Sequence, residues 1–118
     1  GGINNQDLEF SNSYLQEFSS FYEFVLKGLE KEEIMNWVHF KPQYTFVCDE
    51  NDNIVMDFVG KMENLNADFN AVCKHLNIES ELQKLNMSAT KKNDFSEEVK
   101  TMIKLKYQKD FNLFYPHL

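Results

Sequence analysis

The sequence predicts an α+β fold that is mainly helical, with about three helices and one β-hairpin. Two short apolar runs, residues 44–48 and 54–59, are rich in the aromatic and β-branched residues that favour strands. The residues between them, Asp-Glu-Asn-Asp-Asn, favour a turn. The helices are predicted from apolar residues that recur every three or four positions. At 118 residues and 42% hydrophobic, the chain has the size and apolar content of one domain.

Residues 1–18 are predicted to form an N-terminal arm or loop, and residues 19–118 the single folded domain. The arm is polar, and the side chains expected to dock on the body are Phe10, Tyr14, Leu15 and Phe18. The first helix is predicted to begin at Ser20, because Ser20 and Glu23 have the spacing of a capping box. Its buried face is predicted to carry Phe21, Phe24, Val25 and Leu29.

The central stretch joins the predicted hairpin to the second helix. A polar turn containing Pro42 precedes the first strand, and Gly60 ends the second strand. The helix that follows has one apolar face, formed by Leu65, Phe69, Val72, Cys73 and Leu76. A two-stranded hairpin is only marginally stable by itself. Either helices therefore cover this hairpin, or its edge pairs with strands from elsewhere in the protein.

The C-terminal third is predicted to hold the last helix. Asn77 is placed like a left-handed helix cap, and residues 79–84 are predicted to form one short helical turn. Residues 86–95 are predicted to form an exposed loop. Ser96 is expected to cap the final helix, and Pro116 to end it.

The charge, the length of the apolar runs and the cysteines bear on nucleic-acid binding, membrane spanning and the cellular compartment. A net charge of −7 argues against nucleic-acid binding, which requires a basic face. All basic residues are lysine, so the guanidinium fork that clamps phosphate or sulfate is absent. No apolar run approaches the roughly 18 residues of a membrane span. Cys48 and Cys73 are predicted to be reduced, with a disulfide as the alternative. Reduced cysteines and the absence of a signal pattern favour the cytoplasm without fixing the compartment.

Five residues on two loops are candidates for ligand binding. His39, Lys41 and Gln43 cluster an imidazole, an ammonium and a carboxamide in H-F-K-P-Q, which would suit an anionic or sugar ligand. Lys61 and Glu63 lie between the second predicted strand and its helix. The alternative is that both loops carry ordinary solvated polar residues.

The sequence predicts no catalytic residue and no metal site. It contains no H-E-x-x-H, C-x-x-C or G-x-S-x-G motif. Its four glycines form no G-x-x-x-x-G-K loop, so a phosphate cradle of that type is absent. No cofactor is therefore predicted for this chain alone.

Several segments resemble one known family. H-F-K-P-Q-Y-T-F-V-C-D-E-N, I-V-M-D-F-V-G-K-M-E-N-L-N-A-D-F and L-x-x-L-N-x-S are similar to the C-terminal part of carbohydrate sulfotransferases that use 3′-phosphoadenosine 5′-phosphosulfate (PAPS). S-F-Y-E-F-V resembles that family's helix start, so the resemblance covers roughly residues 19–115. The matching positions are His39, Pro42, Gln43, Asp57, Phe58, Gly60, Lys61, Glu63, Leu65, Asp68, Leu85, Asn86, Ser88, Asp110 and Phe114.

The resemblance implies the C-terminal part of a larger α/β, P-loop-like sulfotransferase fold. In that family the donor-phosphate loop, the 3′-phosphate site and the usual catalytic base lie in the N-terminal part, and they have no counterpart in this sequence. The resemblance therefore implies a segment, inactive alone, of an enzyme that transfers sulfate from PAPS to a sugar hydroxyl. Its implied partners are a glycan or polysaccharide acceptor and either the missing N-terminal half or a homodimer mate. His39, Lys41, Gln43, Lys61 and Glu63 would contact the acceptor.

Two alternatives remain beside this interpretation. The chain could be a non-catalytic module, including a dimeric one, that binds a glycan or a protein. It could also be a small globular protein whose resemblance is accidental. The sulfotransferase segment predicts an exposed sheet edge or apolar patch, whereas the module predicts a closed core or a symmetric dimer.

Overall fold

The computed structural model describes residues 4–83 and 94–118, and within these ranges the chain is helical. The predicted α+β class is wrong, because the described residues form seven α-helices and no strand. The α-helices are α1 (Asn5–Phe10), α2 (Phe21–Lys27), α3 (Glu32–Met35), α4 (Tyr44–Val47), α5 (Leu65–Leu76), α6 (Glu97–Lys106) and α7 (Gln108–Phe114). A π-helical turn (Ser11–Leu15) and two 3₁₀ turns (Gly28–Glu30 and Met62–Asn64) complete the regular structure.

The predicted hairpin is replaced by a helix and a single bridge. Residues 44–47 of the first predicted strand form α4, and the two runs meet only at an isolated antiparallel bridge between Cys48 and Ile54. The turn between them is present, since the Asp49 amide donates to the Asn53 carbonyl at 2.9 Å. The first run becomes helical because the Asp110 carboxylate accepts hydrogen bonds from the backbone amides at the beginning of α4.

The N-terminal residues form helix where the sequence suggested an arm or loop. The Asn4 side chain accepts from the Asp7 amide at 2.9 Å, and the Asp7 carboxylate accepts from the Asn4 amide at 3.2 Å. This capping box begins α1, which continues into the π-helical turn. Phe10 docks on the body as expected, with 7% of its surface exposed. The division of the chain at residue 18 stays a prediction.

The core lies between α1, the α2–α3 region and α6. Its buried side chains are Phe10, Val25, Leu29, Ile34 and Val99. Half-buried aromatic residues surround it, and the Tyr107 hydroxyl donates to the Phe40 carbonyl at 2.7 Å. Tyr107 also separates α6 from α7, so the predicted final helix is two helices.

Three predicted helix caps are confirmed. The Ser20 hydroxyl accepts from the Glu23 amide at 3.1 Å, and the Ser96 hydroxyl accepts from the Val99 amide at 3.3 Å. The Glu23 carboxylate accepts from the Ser19 amide at 3.0 Å rather than from the Ser20 amide, so the second half of the predicted capping box is displaced by one residue. Asn77 ends α5 in the left-handed conformation, with φ of 54°. The short turn predicted at residues 79–84 is wrong for residues 79–83, which contain no helix. Residue 84, most of the predicted loop at 86–95, and the matching positions Leu85, Asn86 and Ser88 lie outside the described residues.

A second apolar region lies on the surface rather than in the core. We call it the α5 surface, and its exposed side chains are Ile54, Val55, Met56, Phe58, Val59, Met62, Leu65, Leu76 and Ile78. Of the apolar face predicted for α5, only Cys73 is buried. Phe58 borders a surface depression shared with Leu76 and another shared with Met62 and Leu65. Exposed apolar patches commonly mark a contact with another polypeptide.

Candidate functional site

Three of the five candidate residues, Gln43, Lys61 and Glu63, lie at one cleft beside Tyr115. We call it the Tyr115 cleft; it has a volume of about 330 Å³. Its lining residues are Gln43, Val47, Val59, Gly60, Lys61, Met62, Phe114 and Tyr115. Glu63 joins them through a hydrogen bond from the Tyr115 hydroxyl, at 3.1 Å. The cleft therefore combines apolar walls with a carboxamide, an ammonium and a carboxylate.

Tyr115 holds the two charged side chains in place. The Lys61 ammonium lies 4.8 Å from the centre of the Tyr115 ring, a cation–π contact. Burial, together with the hydrogen bond to Glu63, raises the pKa of Tyr115. The phenol therefore stays protonated near neutral pH and acts as a hydrogen-bond donor. One aromatic ring thus positions a cation and a carboxylate next to the cleft.

The backbone at Lys61 is fixed by Asp68, in the first turn of α5. The Lys61 amide donates to the Asp68 carboxylate at 2.8 Å. A Cβ at Gly60 would lie 3.3 Å from the Asp68 Oδ2 atom and from the Phe58 ring, closer than an ordinary contact. Gly60 therefore lets the Asp68 carboxylate approach the chain. A carboxylate at this position also interacts favourably with the dipole of α5.

Asp110 fixes the other wall of the cleft. Its carboxylate is buried and accepts from the Gln43 amide at 2.7 Å and from the Tyr44 amide at 2.8 Å. These two amides belong to the beginning of α4, where a helix has no internal acceptors. Asp110, on α7, thus connects the C-terminal part of the cleft to the beginning of α4 and positions the Gln43 backbone.

His39 and Lys41 lie apart from the Tyr115 cleft. The His39 Nε2 atom lies 2.8 Å from the Asp7 carboxylate, and the His39 ring is 6.4 Å from that of Trp37. The backbone hydrogen bond at Asn4, followed by the contact with His39, lowers the pKa of Asp7. Lys41 is half-buried, and its backbone amide donates to the Trp37 carbonyl at 2.9 Å. The H-F-K-P-Q stretch is therefore divided between two regions, and the binding role of its side chains stays a prediction.

Sequence reasoning missed the residue at the centre of the cleft. No local sequence pattern relates Tyr115 to Lys61 or Glu63, so Tyr115 is not among the predicted site residues. Asp68 and Asp110 were recognised as matching positions of the family pattern, without a physical role. Both are now explained as acceptors of backbone amides.

The described residues do not fit a binding site for the phosphates of PAPS. Such a site needs free backbone amides at a glycine-rich turn, supported by cations. At Gly28 an added Cβ would lie 2.7 Å from the Phe24 ring, so this glycine is packed in the interior. Gly60 faces the Asp68 carboxylate, which would repel a phosphate. Several lysines are already paired with carboxylates: Lys27, Lys31, Lys100, Lys106 and Lys109.

Other reactive side chains in the described ranges form no obvious reaction centre. His, Cys, Asp and Glu residues there do not form groups of three that could hold a metal ion. Cys48 and Cys73 are free thiols, and burial is the main cause that raises the pKa of Cys48. No helix in the described part of the chain is long and apolar enough to span a bilayer.

Comparison with protein families places this chain in a known one. The model of the "Sulfotransferase family" matches residues 3–116. No curated protein and no solved structure matches the chain. Because the family match covers almost every residue, including both walls of the Tyr115 cleft, this chain belongs to the sulfotransferase family.

Proposed function

We propose that this chain is the acceptor-binding, C-terminal portion of a carbohydrate sulfotransferase and is inactive alone. In this proposal, polypeptide outside these 118 residues supplies the PAPS site and the catalytic base. The observation that carries it is the Tyr115 cleft, where Gln43, Lys61 and Glu63 meet in a chain of the sulfotransferase family. The poor fit of the described residues to the phosphates of PAPS supports the same division of roles.

The side chains of the cleft suit a sugar ring. A carboxamide both donates and accepts hydrogen bonds, an ammonium donates, and a carboxylate accepts, so Gln43, Lys61 and Glu63 can pair with hydroxyl groups of either polarity. The apolar side chains that line the cleft, among them Val47 and Phe114, can cover the C–H faces of the ring. His39 and Lys41 would contact an acceptor that extends beyond the cleft.

The chemistry of sulfate transfer explains why acceptor binding can be separate from the donor site. A base removes the proton of a sugar hydroxyl, whose oxygen attacks sulfur while the bond from sulfur to the leaving phosphate oxygen breaks. PAPS is the typical donor of the family. The role proposed for this chain is to hold the hydroxyl group in position, which lowers the entropic part of the barrier.

The α5 surface supports docking of a further polypeptide. It includes Met62, which is 79% exposed, and Leu76, which is 59% exposed. Met62 also lines the Tyr115 cleft, so a polypeptide covering this surface would lie next to the bound acceptor. The donor-binding half of the enzyme is the partner we propose here, and a homodimer mate is the alternative.

The test is glycan binding by the isolated chain and two lysine variants. An array of neutral, amino and uronic-acid oligosaccharides identifies a ligand, and calorimetry measures its Kd. Lys61→Ala should weaken binding about tenfold, because it removes a charged donor. Lys74→Ala, an exposed lysine of α5 away from the cleft lining, is the matched control and should leave Kd unchanged. Absence of binding to every glycan, or equal loss in both variants, would refute the proposal.

A further inference from the structure

A second concave site lies on the N-terminal helix and shares no lining residue with the Tyr115 cleft. This N-terminal groove has a volume of about 390 Å³ and is lined by Gln6, Glu9, Phe10, Ser13, Tyr14 and Trp37. The groove is shallow and largely open to solvent, so a ligand would lie along its surface rather than inside a cavity. We propose that this groove is a second saccharide-binding site, specific for uncharged sugars. The inference goes beyond the sulfotransferase proposal, because it involves neither the sulfate donor nor the Tyr115 cleft.

Aromatic rings form the floor of the groove. The buried Phe10 ring stacks on Trp37, with ring centres 4.3 Å apart and planes 9° from parallel, and Tyr14 lies 5.0 Å from Phe10. Trp37 is half-buried and Tyr14 is 37% exposed, so both keep surface available to a ligand. The C–H face of a pyranose ring is apolar and slightly positive, and it therefore packs well on the negative face of an aromatic ring.

Polar side chains follow one side of the same helical stretch. Gln6, Glu9 and Ser13 are three and four residues apart, the spacing that places side chains on one helix face. All three are exposed, and none of their side chains hydrogen-bonds to another group in the part of the chain that the structure describes. An amide, a carboxylate and a hydroxyl together supply both donors and acceptors for sugar hydroxyl groups.

The helix geometry at the groove is unusual. Ser13 and Tyr14 lie on the π-helical turn Ser11–Leu15, which directly follows α1. π-Helical turns are rare and occur frequently at functional sites, because the wider turn alters the direction of the side chains it carries. The π-helical turn is a feature of the backbone, so it supports a functional role separately from the side chains that line the groove.

The charges at the groove select against acidic ligands. Glu9 is the one charged residue of its lining, and the nearby Asp7 on α1 is paired with the His39 ring and does not line the groove. No lysine contributes to the lining. A uronate or a sulfated sugar would therefore be repelled, whereas a neutral sugar would not. A proline-rich peptide could also pack on Trp37 and Tyr14, but it would leave the three polar side chains without partners.

Fluorescence tests the proposal directly, because Trp37 is the only tryptophan. The probes are maltohexaose, cellohexaose and chitohexaose as neutral sugars, hexagalacturonate as an acidic sugar, and decaproline as a peptide. We expect a saturable change in emission with at least one neutral hexasaccharide, and weaker binding of hexagalacturonate. No saturable change with any neutral sugar would overturn the proposal. Tighter binding of hexagalacturonate or of decaproline would overturn it as well.

Variants connect the signal to the groove. Tyr14→Ala should weaken binding of the neutral sugar about fivefold to tenfold, and Ser13→Ala about threefold. Glu9→Gln should tighten binding of hexagalacturonate relative to wild type, whereas Glu50→Gln, at an exposed glutamate outside the groove lining, should not. Circular dichroism verifies folding, and if Tyr14→Ala does not fold, Ser13→Ala and Gln6→Ala decide. Unchanged neutral-sugar binding in Ser13→Ala and in the folded Tyr14 or Gln6 variant would overturn the assignment.

Discussion

Replacement of Asp110 by alanine should be among the most damaging polar substitutions in this protein. Its carboxylate accepts from the amides of Gln43 and Tyr44 at 2.7 and 2.8 Å, and the residue is only 9% exposed. Each amide is partly buried and loses a hydrogen bond to a charged group, which contributes about 1.5–3 kcal/mol. Two such amides predict a loss of about 3 kcal/mol in the free energy of unfolding, or about 12 °C in Tm.

Urea unfolding followed by circular dichroism measures this effect, with two comparison variants. Asp110→Asn keeps one acceptor oxygen and should lose about 1–2 kcal/mol. Asp94→Ala removes a fully exposed carboxylate 3.8 Å from Lys100, and should change stability by less than about 0.5 kcal/mol. If Asp110→Ala is no more destabilising than Asp94→Ala, the proposed link between α7 and the beginning of α4 is refuted.

Three further substitutions probe local features of the helices. Gly28→Ala should destabilise by about 1–3 kcal/mol in thermal unfolding, because the new Cβ would lie 2.7 Å from the Phe24 ring; unchanged stability would contradict this packing. Ser20→Ala should cost about 1 kcal/mol by removing the cap of α2, with Ser80→Ala, an exposed serine outside any helix, as control. The hydrogen bond from Lys27, followed by that from the Ser19 amide, lowers the pKa of Glu23 from 4.5 to about 2. The ionised Glu23 side chain therefore stabilises the fold fully above pH 4.5, and this stabilisation is lost as the pH falls towards 2. Glu23→Gln should lower the free energy of unfolding at neutral pH and much less near pH 2. An equal loss at both pH values would contradict this role of Glu23.

Local features were predictable from the sequence because their causes lie within one helical turn. Ser20, Ser96 and Asn77 cap their helices through contacts with residues at most four positions away. A local cap that was not predicted, Asn4 with Asp7, uses the same geometry with a shorter acidic side chain. It was obscured by the polar, aperiodic composition of the first residues.

The hairpin could not be excluded from local sequence. Residues 44–47 have a composition that favours a strand, and α4 forms because an acceptor 66 residues away takes its first amides. A contact between residues so far apart leaves no periodic pattern in the sequence. It outweighs the weak local preference of residues 44–47 for a strand.

The candidate site was predictable only in part, because contacts between residues far apart in the sequence assemble it. Lys61 and Glu63 were recognised near one loop, but Tyr115 and Gln43 reach them through the fold. His39 was grouped with Gln43 by sequence proximity, whereas the structure pairs it with Asp7 on α1. The apolar face predicted for α5 is only partly buried: Leu65 and Leu76 stay exposed and form part of the α5 surface.

In our proposal, this member of the sulfotransferase family binds the acceptor, and polypeptide outside these 118 residues supplies the donor site. Calorimetric titration of the chain with adenosine 3′,5′-bisphosphate, the desulfated product of PAPS, at low salt tests it most directly. We predict no heat of binding and no shift in Tm, because Gly28 is packed in the interior and the Asp68 carboxylate already accepts from the Lys61 amide beside Gly60. Stoichiometric binding with a micromolar Kd would contradict the account and would identify a nucleotide site on this chain.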